Sequence, residues 1–163
     1  MKVVVFEAMP ASLQEFYSLP QMDLTLPENT CAIFLCALNL YVQDRDVGVQ
    51  AINILKGPVD LNVQEINWLR DRLMDKPYLP LAYFEGARPE NSYVPVLPYT
   101  LQLYPDPRPQ DCEAGYMRLY LKTTGADSPR AIKLRQKERN WYLWEYPSIL
   151  TGIRTPVSED PWG

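Results

Sequence analysis

Ala114-Gly115-Tyr116-Met117-Arg118-Leu119-Tyr120-Leu121-Lys122-Thr123-Thr124 alternates, with Met117, Leu119 and Leu121 on one face and Tyr116, Arg118, Tyr120 and Lys122 on the other. Side chains of a strand point to opposite faces in turn, so one face can be buried while the other stays wet. Ala131 to Lys137 repeats the pattern, setting Ile132 and Leu134 against Lys133, Arg135 and Lys137, and Trp141 to Tyr146 is a β-favouring aromatic run. These segments read as three antiparallel strands followed by a tail anchored by proline and tryptophan. They decide an architecture without deciding a reaction.

Upstream the signals change. Lys2 to Glu7 is a short strand candidate, stopped by Met9-Pro10. Ser12 with Glu15 makes a capping box and opens a short helix ending near Leu19-Pro20. Thr25 with Glu28, and Pro27 in the first turn, predict a second helix to about Gln43; its run Cys31 to Val42 is apolar nearly all round, as in a helix buried on most sides. Asp44 is placed to cap a third helix, Asp46 to Lys56, with Val49, Ile52 and Leu55 inward, and Lys56-Gly57-Pro58 stops it. Asn62 with Glu65 caps a fourth, Val63 to Met74, whose inward stripe is Ile66, Leu69, Leu73 and Trp68. Prolines 77, 80 and 89 and Gly86 break any periodicity after that, and Tyr99 to Tyr104 is a further strand.

The expected fold is therefore a single α+β domain over 1–163, with an N-terminal strand and about four helices packed on a C-terminal antiparallel sheet of about four strands. The helical half covers about 12–76, a Pro-rich connection 77–98, and the sheet with its docked tail 99–163.

Composition narrows the functions. At 163 residues, 47% hydrophobic and 22% charged, the chain has the make-up of a soluble globular protein. A net charge of −4 gives no global attraction for nucleic acid. There is no histidine, which removes Ser-His-Asp and Cys-His hydrolases, mixed His/Cys zinc sites and histidine bases. The three cysteines, Cys31, Cys36 and Cys112, form no CxxC and no even set, so free thiols in a cytoplasmic protein are expected. No glycine-rich phosphate loop, dinucleotide fingerprint, GxSxG or metal spacing occurs. No apolar run approaches the ~20 residues of a membrane span.

Gly125-Ala126-Asp127-Ser128-Pro129-Arg130, Ile132-Lys133-Leu134-Arg135-Gln136-Lys137, Trp141-Tyr142-Leu143-Trp144-Glu145, Gly152-Ile153-Arg154 and Pro156-Val157-Ser158-Glu159-Asp160-Pro161-Trp162 resemble an uncharacterised family of small single-domain proteins from gut-dwelling and related Firmicutes. Leu55-Lys56-Gly57-Pro58 and Tyr83 to Asn91 resemble it too. The resemblance implies a bacterial origin, and it carries over no activity, cofactor or catalytic residue.

Four groups of residues invite a functional reading. The first is the basic, aromatic sheet face of Arg118, Tyr120, Lys122, Lys133, Arg135 and Lys137 with Tyr116, where cations interleaved with aromatics could take phosphates and bases or an acidic partner. The plainer account is that these residues keep the sheet wet and its edges unpaired. Asp127-Ser128-Pro129-Arg130 reads as a turn, or with Arg130 as an anion clamp. In the tail, Ser158-Glu159-Asp160 could form a charged surface with Arg154 as counterion, while Trp162 is expected to dock on the body. The loop holding Tyr83, Glu85, Arg88 and Glu90 places polar groups beside aromatics, where sites tend to lie.

The reading that follows first is a non-enzymatic protein-binding domain using the exposed sheet face or the Pro-rich loops. A small-molecule-binding or degenerate-enzyme fold, with an aromatic-lined cavity between helices and sheet, comes second, and single-strand nucleic-acid binding third. No catalytic residue, cofactor, metal, nucleic acid or membrane is expected, and the oligomeric state is left open.

Overall fold

The computed structural model describes all 163 residues. Strand β1 (Lys2–Phe6) leads into helices α1 (Leu13–Tyr17), α2 (Pro27–Gln43), α3 (Arg45–Lys56) and α4 (Val63–Leu73), and these into strands β2 (Tyr99–Pro105), β3 (Tyr116–Leu121), β4 (Arg130–Lys137) and β5 (Asn140–Glu145). The sheet is antiparallel with order β1-β2-β3-β4-β5, so it holds five strands and not the four expected. The additional one is β1, which runs beside β2 with Val4 opposite Leu101 and Phe6 opposite Tyr99. That pairing spans more than ninety positions of chain and leaves no local trace. The whole helical segment is inserted between two neighbouring strands.

The alternation sorts β4 as expected, while in β3 only Leu121 of the expected inward set is fully buried and Met117 and Leu119 are half-buried. Val4, Phe6, Leu101, Leu103, Leu121, Ile132, Leu134 and Leu143 are buried on one face, against α2. Every residue of α2 from Asn29 to Tyr41 is buried. The predicted cap of α2 is absent: the Thr25 hydroxyl donates to Asp23 Oδ1 (2.5 Å), and the cap position is Leu26, held extended before Pro27. The other caps behave as read. Ser12 Oγ accepts from Glu15 N, though the Glu15 carboxylate reaches back to Ala11 N; Asp44 accepts from Asp46 N and Val47 N; Asn62 and Glu65 complete both halves of a capping box. In α3 the inward residues are Gly48, Ala51, Ile52 and Leu55, with Val49 only half-buried, and in α4 they are Leu69 and Leu73.

Two irregularities break the sheet. β2 pairs with β3 only at Tyr104–Tyr120 and Pro105–Leu119. Below that the strands part, and residues 82–87 enter the fork: Glu85 N donates to Thr100 O, Thr123 Oγ1 to Ala82 O and Thr124 Oγ1 to Ala87 O. The second is a bulge between β4 and β5, where Lys133 faces Glu145 and Leu134 faces Leu143, leaving Trp144 unpaired.

The tail corrects the expected docking. Pro156 is buried, Tyr93 Oη donates to Arg154 O, and Arg154 N donates to Gly125 O. Trp162, however, is 95% exposed. Trp162→Ala should therefore change stability by no more than about 0.5 kcal/mol in denaturant unfolding.

The closest helix contact generates another expectation. A Cβ on Gly48 would collide with the backbone of Tyr41 in α2. Alanine is the better helix former by about 1 kcal/mol, but a backbone collision cannot be relieved by a rotamer change and overpacking costs about 1–3 kcal/mol or more. Gly48→Ala should lower the unfolding free energy by about 2 kcal/mol, measured as a fall in the urea midpoint. Thiol reactivity tests the same core. Cys31 and Cys36 are fully buried in α2, and burial pushes both thiols well above their ordinary range, whereas Cys112 is half-buried in the β2–β3 connection. A maleimide should label Cys112 in the native protein and the other two only once it unfolds.

Candidate cation–aromatic face and groove

The outer face of the sheet gathers the residues the alternation singles out. Tyr116 sits opposite Arg135, Arg118 opposite Lys133 and Tyr120 opposite Ala131. Arg118 and Lys133 are like charges side by side, an arrangement that destabilises a sheet unless it is neutralised. Both are neutralised from the β2–β3 connection. Asp106 Oδ2 lies 3.0 Å from Arg118 Nε and Glu113 Oε2 lies 3.3 Å from Lys133 Nζ. Asp106 holds Arg118 above its usual range; the Glu113 carboxyl is lowered by its own backbone N–H first and by Lys133 next. The Pro105–Pro109 loop that carries Asp106 also ties itself down through Arg108 N to Asp106 Oδ1.

Lys122, Arg135 and Lys137 take no carboxylate. Lys122 Nζ stands 4.3 Å over the Tyr104 ring. The Arg135 guanidinium lies against a pair of rings, 4.7 Å from the centre of Trp144 and 5.5 Å from that of Tyr116, and those rings meet edge to face at 5.6 Å. Such cation–ring contacts are worth about 0.5–1 kcal/mol at exposed sites and leave the charge unneutralised. Tyr120 makes no side-chain hydrogen bond.

β5 contributes the residues that sequence reasoning missed. Leu143 points into the core, so Tyr142 and Trp144 point out, and the bulge brings Trp144 over Arg135. The signal was present in the alternation of Trp141 to Glu145, but only the bulge decides which ring meets which cation. Opposite them stands the α3–α4 turn. A Cβ on Gly57, at φ +79°, would approach the Tyr142 ring to 2.9 Å, so glycine is what lets this turn close on the sheet. The result is a groove of about 440 Å³ lined by Lys56, Pro58, Val59, Arg135, Tyr142 and Trp144, with Lys137 at its end. Lys56 is committed to Glu65 at 3.0 Å, which leaves Arg135 and Lys137 as the free cations of the groove.

The loop residues do not converge as a set. Tyr83 is structural: it is buried, its hydroxyl donates to Ile149 O at 2.6 Å, and burial raises its pKa. Glu85 lies in the strand fork, where Gln102 Nε2 donates to Glu85 Oε1 and Tyr104 Oη to Gln102 Oε1, each at 2.6 Å, in a cleft of about 260 Å³ that Lys122 also borders. Glu90 lines a different cleft, beside the tail, so the two glutamates do not act together. Arg88 donates its backbone N–H to Asn91 Oδ1, and its side chain enters no ion pair. Arg130 is a tie rather than a clamp, donating to Ser128 Oγ (3.0 Å) and Gly152 O (3.4 Å). Arg154 pairs with Asp127 and donates to Thr124 O, so it is not the counterion of Glu159 and Asp160. The space between α2 and the sheet is filled by a core of 34 buried residues, and the clefts described here open on the surface instead of forming the aromatic-lined cavity the second reading expected.

No group of three or more His, Cys, Asp or Glu side chains could hold a metal ion, and no helix is long and apolar enough to cross a membrane. No curated protein and no solved structure matches the chain. A family does match, over residues 8–157, which takes in all four helices and the strands from β2 to β5. The chain belongs to the DUF6935 family, a domain of unknown function.

Proposed function

We propose that the protein is a binding module whose outer sheet face receives an acidic segment of another protein, with Arg135 and Lys137 meeting carboxylates and Tyr142 and Trp144 supplying the apolar anchor. The observation that carries this is Arg135. Its guanidinium rests against two touching rings without a counter-charge, at the rim of a 440 Å³ groove, while the neighbouring Arg118 and Lys133 are already neutralised. Arginine, tryptophan and tyrosine are the residues over-represented at the energetic centres of protein interfaces.

A nucleic acid fits less well. A single strand needs a row of open aromatic faces for its bases, and here Arg135 covers Trp144 and Tyr116 while Lys122 covers Tyr104. The small-molecule reading keeps one specific observation, the Glu85–Gln102–Tyr104 hydrogen-bond chain beside Lys122, but its cleft of about 260 Å³ is smaller than the ~300–1,000 Å³ of ordinary ligand pockets.

The test is fluorescence anisotropy with a labelled ten-residue peptide of glutamate, leucine and tryptophan, against the same peptide with lysine for glutamate. The acidic peptide should bind with micromolar affinity, and Arg135→Glu with Lys137→Glu should weaken it at least about tenfold, about 1.4 kcal/mol. Equal binding of both peptides would overturn the proposal. So would a sub-micromolar complex with a single-stranded oligonucleotide that is lost on Lys133→Glu and Arg135→Glu.

A further inference from the structure

The chain itself carries a segment of the chemistry the groove selects. Ser158-Glu159-Asp160-Pro161-Trp162 places two carboxylates one proline before a tryptophan whose side chain is almost wholly in water. Neither Glu159 nor Asp160 has an ion-pair partner, because the nearby Arg154 is engaged by Asp127. The segment is also shaped in advance. Val157–Glu159 forms a 3-10 turn, Asp160 N donates to Val157 O, and Trp162 N donates to Asp160 Oδ1 at 2.9 Å. A tryptophan left in water forgoes the burial of a large apolar surface, and one presented by a pre-formed turn loses little further freedom on binding.

The segment cannot fill the groove of its own chain. Asp160 and Pro161 share a cleft with Thr124 and Pro89, at the end of the sheet where β3 leads into β4. The groove lies at Arg135 to Lys137, the far end of β4. At about 3.4 Å per residue β4 separates the two ends by roughly 20 Å, and Trp162 lies only one residue beyond Pro161. Buried Pro156 and the Ser92–Ser158 hydroxyl contact hold the segment at its own end.

Building on the docking reading of the groove, we infer that its occupant is the Glu159–Trp162 segment of a second copy of this chain. Glu159 and Asp160 meet Arg135 and Lys137, and Trp162 enters beside Tyr142 and Trp144. The contact is head-to-tail: each copy offers one groove and one segment on opposite ends of the sheet, so association continues as an open chain or closes as a ring. So few anchoring residues make a small interface, of the size found in weak and transient complexes.

Sedimentation equilibrium across a concentration series tests this, with reciprocal charge reversal. The unaltered chain should show a mass rising above 18.9 kDa as concentration increases. The groove variant (Arg135→Glu, Lys137→Glu) and the segment variant (Glu159→Lys, Asp160→Lys) should each remain monomeric, an equimolar mixture of the two should associate again, and Trp162→Ala should weaken association at least about tenfold. Circular dichroism and the urea midpoint of each variant report the fold separately. A chain that stays monomeric at about 1 mM, or self-association unchanged by either reversal, would overturn the inference. The peptide experiment separates the two claims. An acidic peptide bound by a persistently monomeric chain would sink self-association and leave the docking groove standing, whereas loss of both would sink both.

Discussion

Burial of α2 on nearly every side is the constraint from which the rest of the molecule follows. From Asn29 to Tyr41 no residue of this helix reaches solvent appreciably, and Ile33, Phe34, Leu35, Leu38 and Leu40 are among the largest fully buried side chains. Each such burial contributes about 1.5–3 kcal/mol relative to exposure, so leaving any face of α2 bare would be costly. Covering it takes the inner face of the sheet on one side, α3 on another, and the irregular stretch around Leu79 to Phe84 on a third. Two of its polar side chains are answered within that cover: Thr30 Oγ1 donates to Trp141 O at 2.7 Å, joining the helix to β5, and Asn29 Nδ2 donates to Asp23 O, whereas the buried Tyr41 hydroxyl has no partner. Gly48 lets α3 approach where any larger residue would hold it off.

What could be read from the residues divides along the same line as local and non-local chemistry. The alternation in β4, the Asn62–Glu65 box, the Lys56-Gly57-Pro58 stop and the all-round apolarity of α2 are properties of short windows, and the structure reproduces them; in β3 only Leu121 is fully buried, and Met117 and Leu119 are half-buried like their outward neighbours. The membership of β1 in the sheet was not legible, because its partner β2 lies beyond the whole helical insertion. Thr25 misled because Asp23, two residues earlier, competes for its hydroxyl. Trp162 misled because a propensity for burial says nothing about where the chain directs the side chain, and here it is directed into water.

The candidate surface shows the same division. Alternation identified Arg118, Lys122, Lys133, Arg135 and Lys137 as neighbours on one face, but their charges are not equivalent, and the distinction comes from elsewhere in the chain. Asp106 and Glu113 arrive from the Pro-rich β2–β3 connection and neutralise the central pair. The rings of Tyr104, Tyr116 and Trp144 position Lys122 and Arg135 without neutralising them. A face that reads as uniformly basic is thus a balanced centre flanked by free cations. The proposed preference for carboxylates at particular positions over evenly spaced phosphates rests on that arrangement.

Both irregularities of the sheet coincide with clefts, and the coincidence has a physical origin. A regular antiparallel pair keeps its strands about 4.8 Å apart and its side chains in close rows, which leaves no room for a guest. Where β2 and β3 part, the fork is filled only partly by residues 82–87, and the remainder is the Glu85–Lys122 cleft. Where the β4–β5 bulge inserts Trp144, the local twist lifts that ring toward Arg135, and the α3–α4 turn, able to come close only because residue 57 is glycine, supplies the opposite wall. The fork is small and its polar groups already bond one another; the bulge groove is larger, with one wall apolar and two of its three cations, Arg135 and Lys137, uncommitted. Between the two, the groove is the place where binding a partner would satisfy groups that the fold itself leaves unpaired.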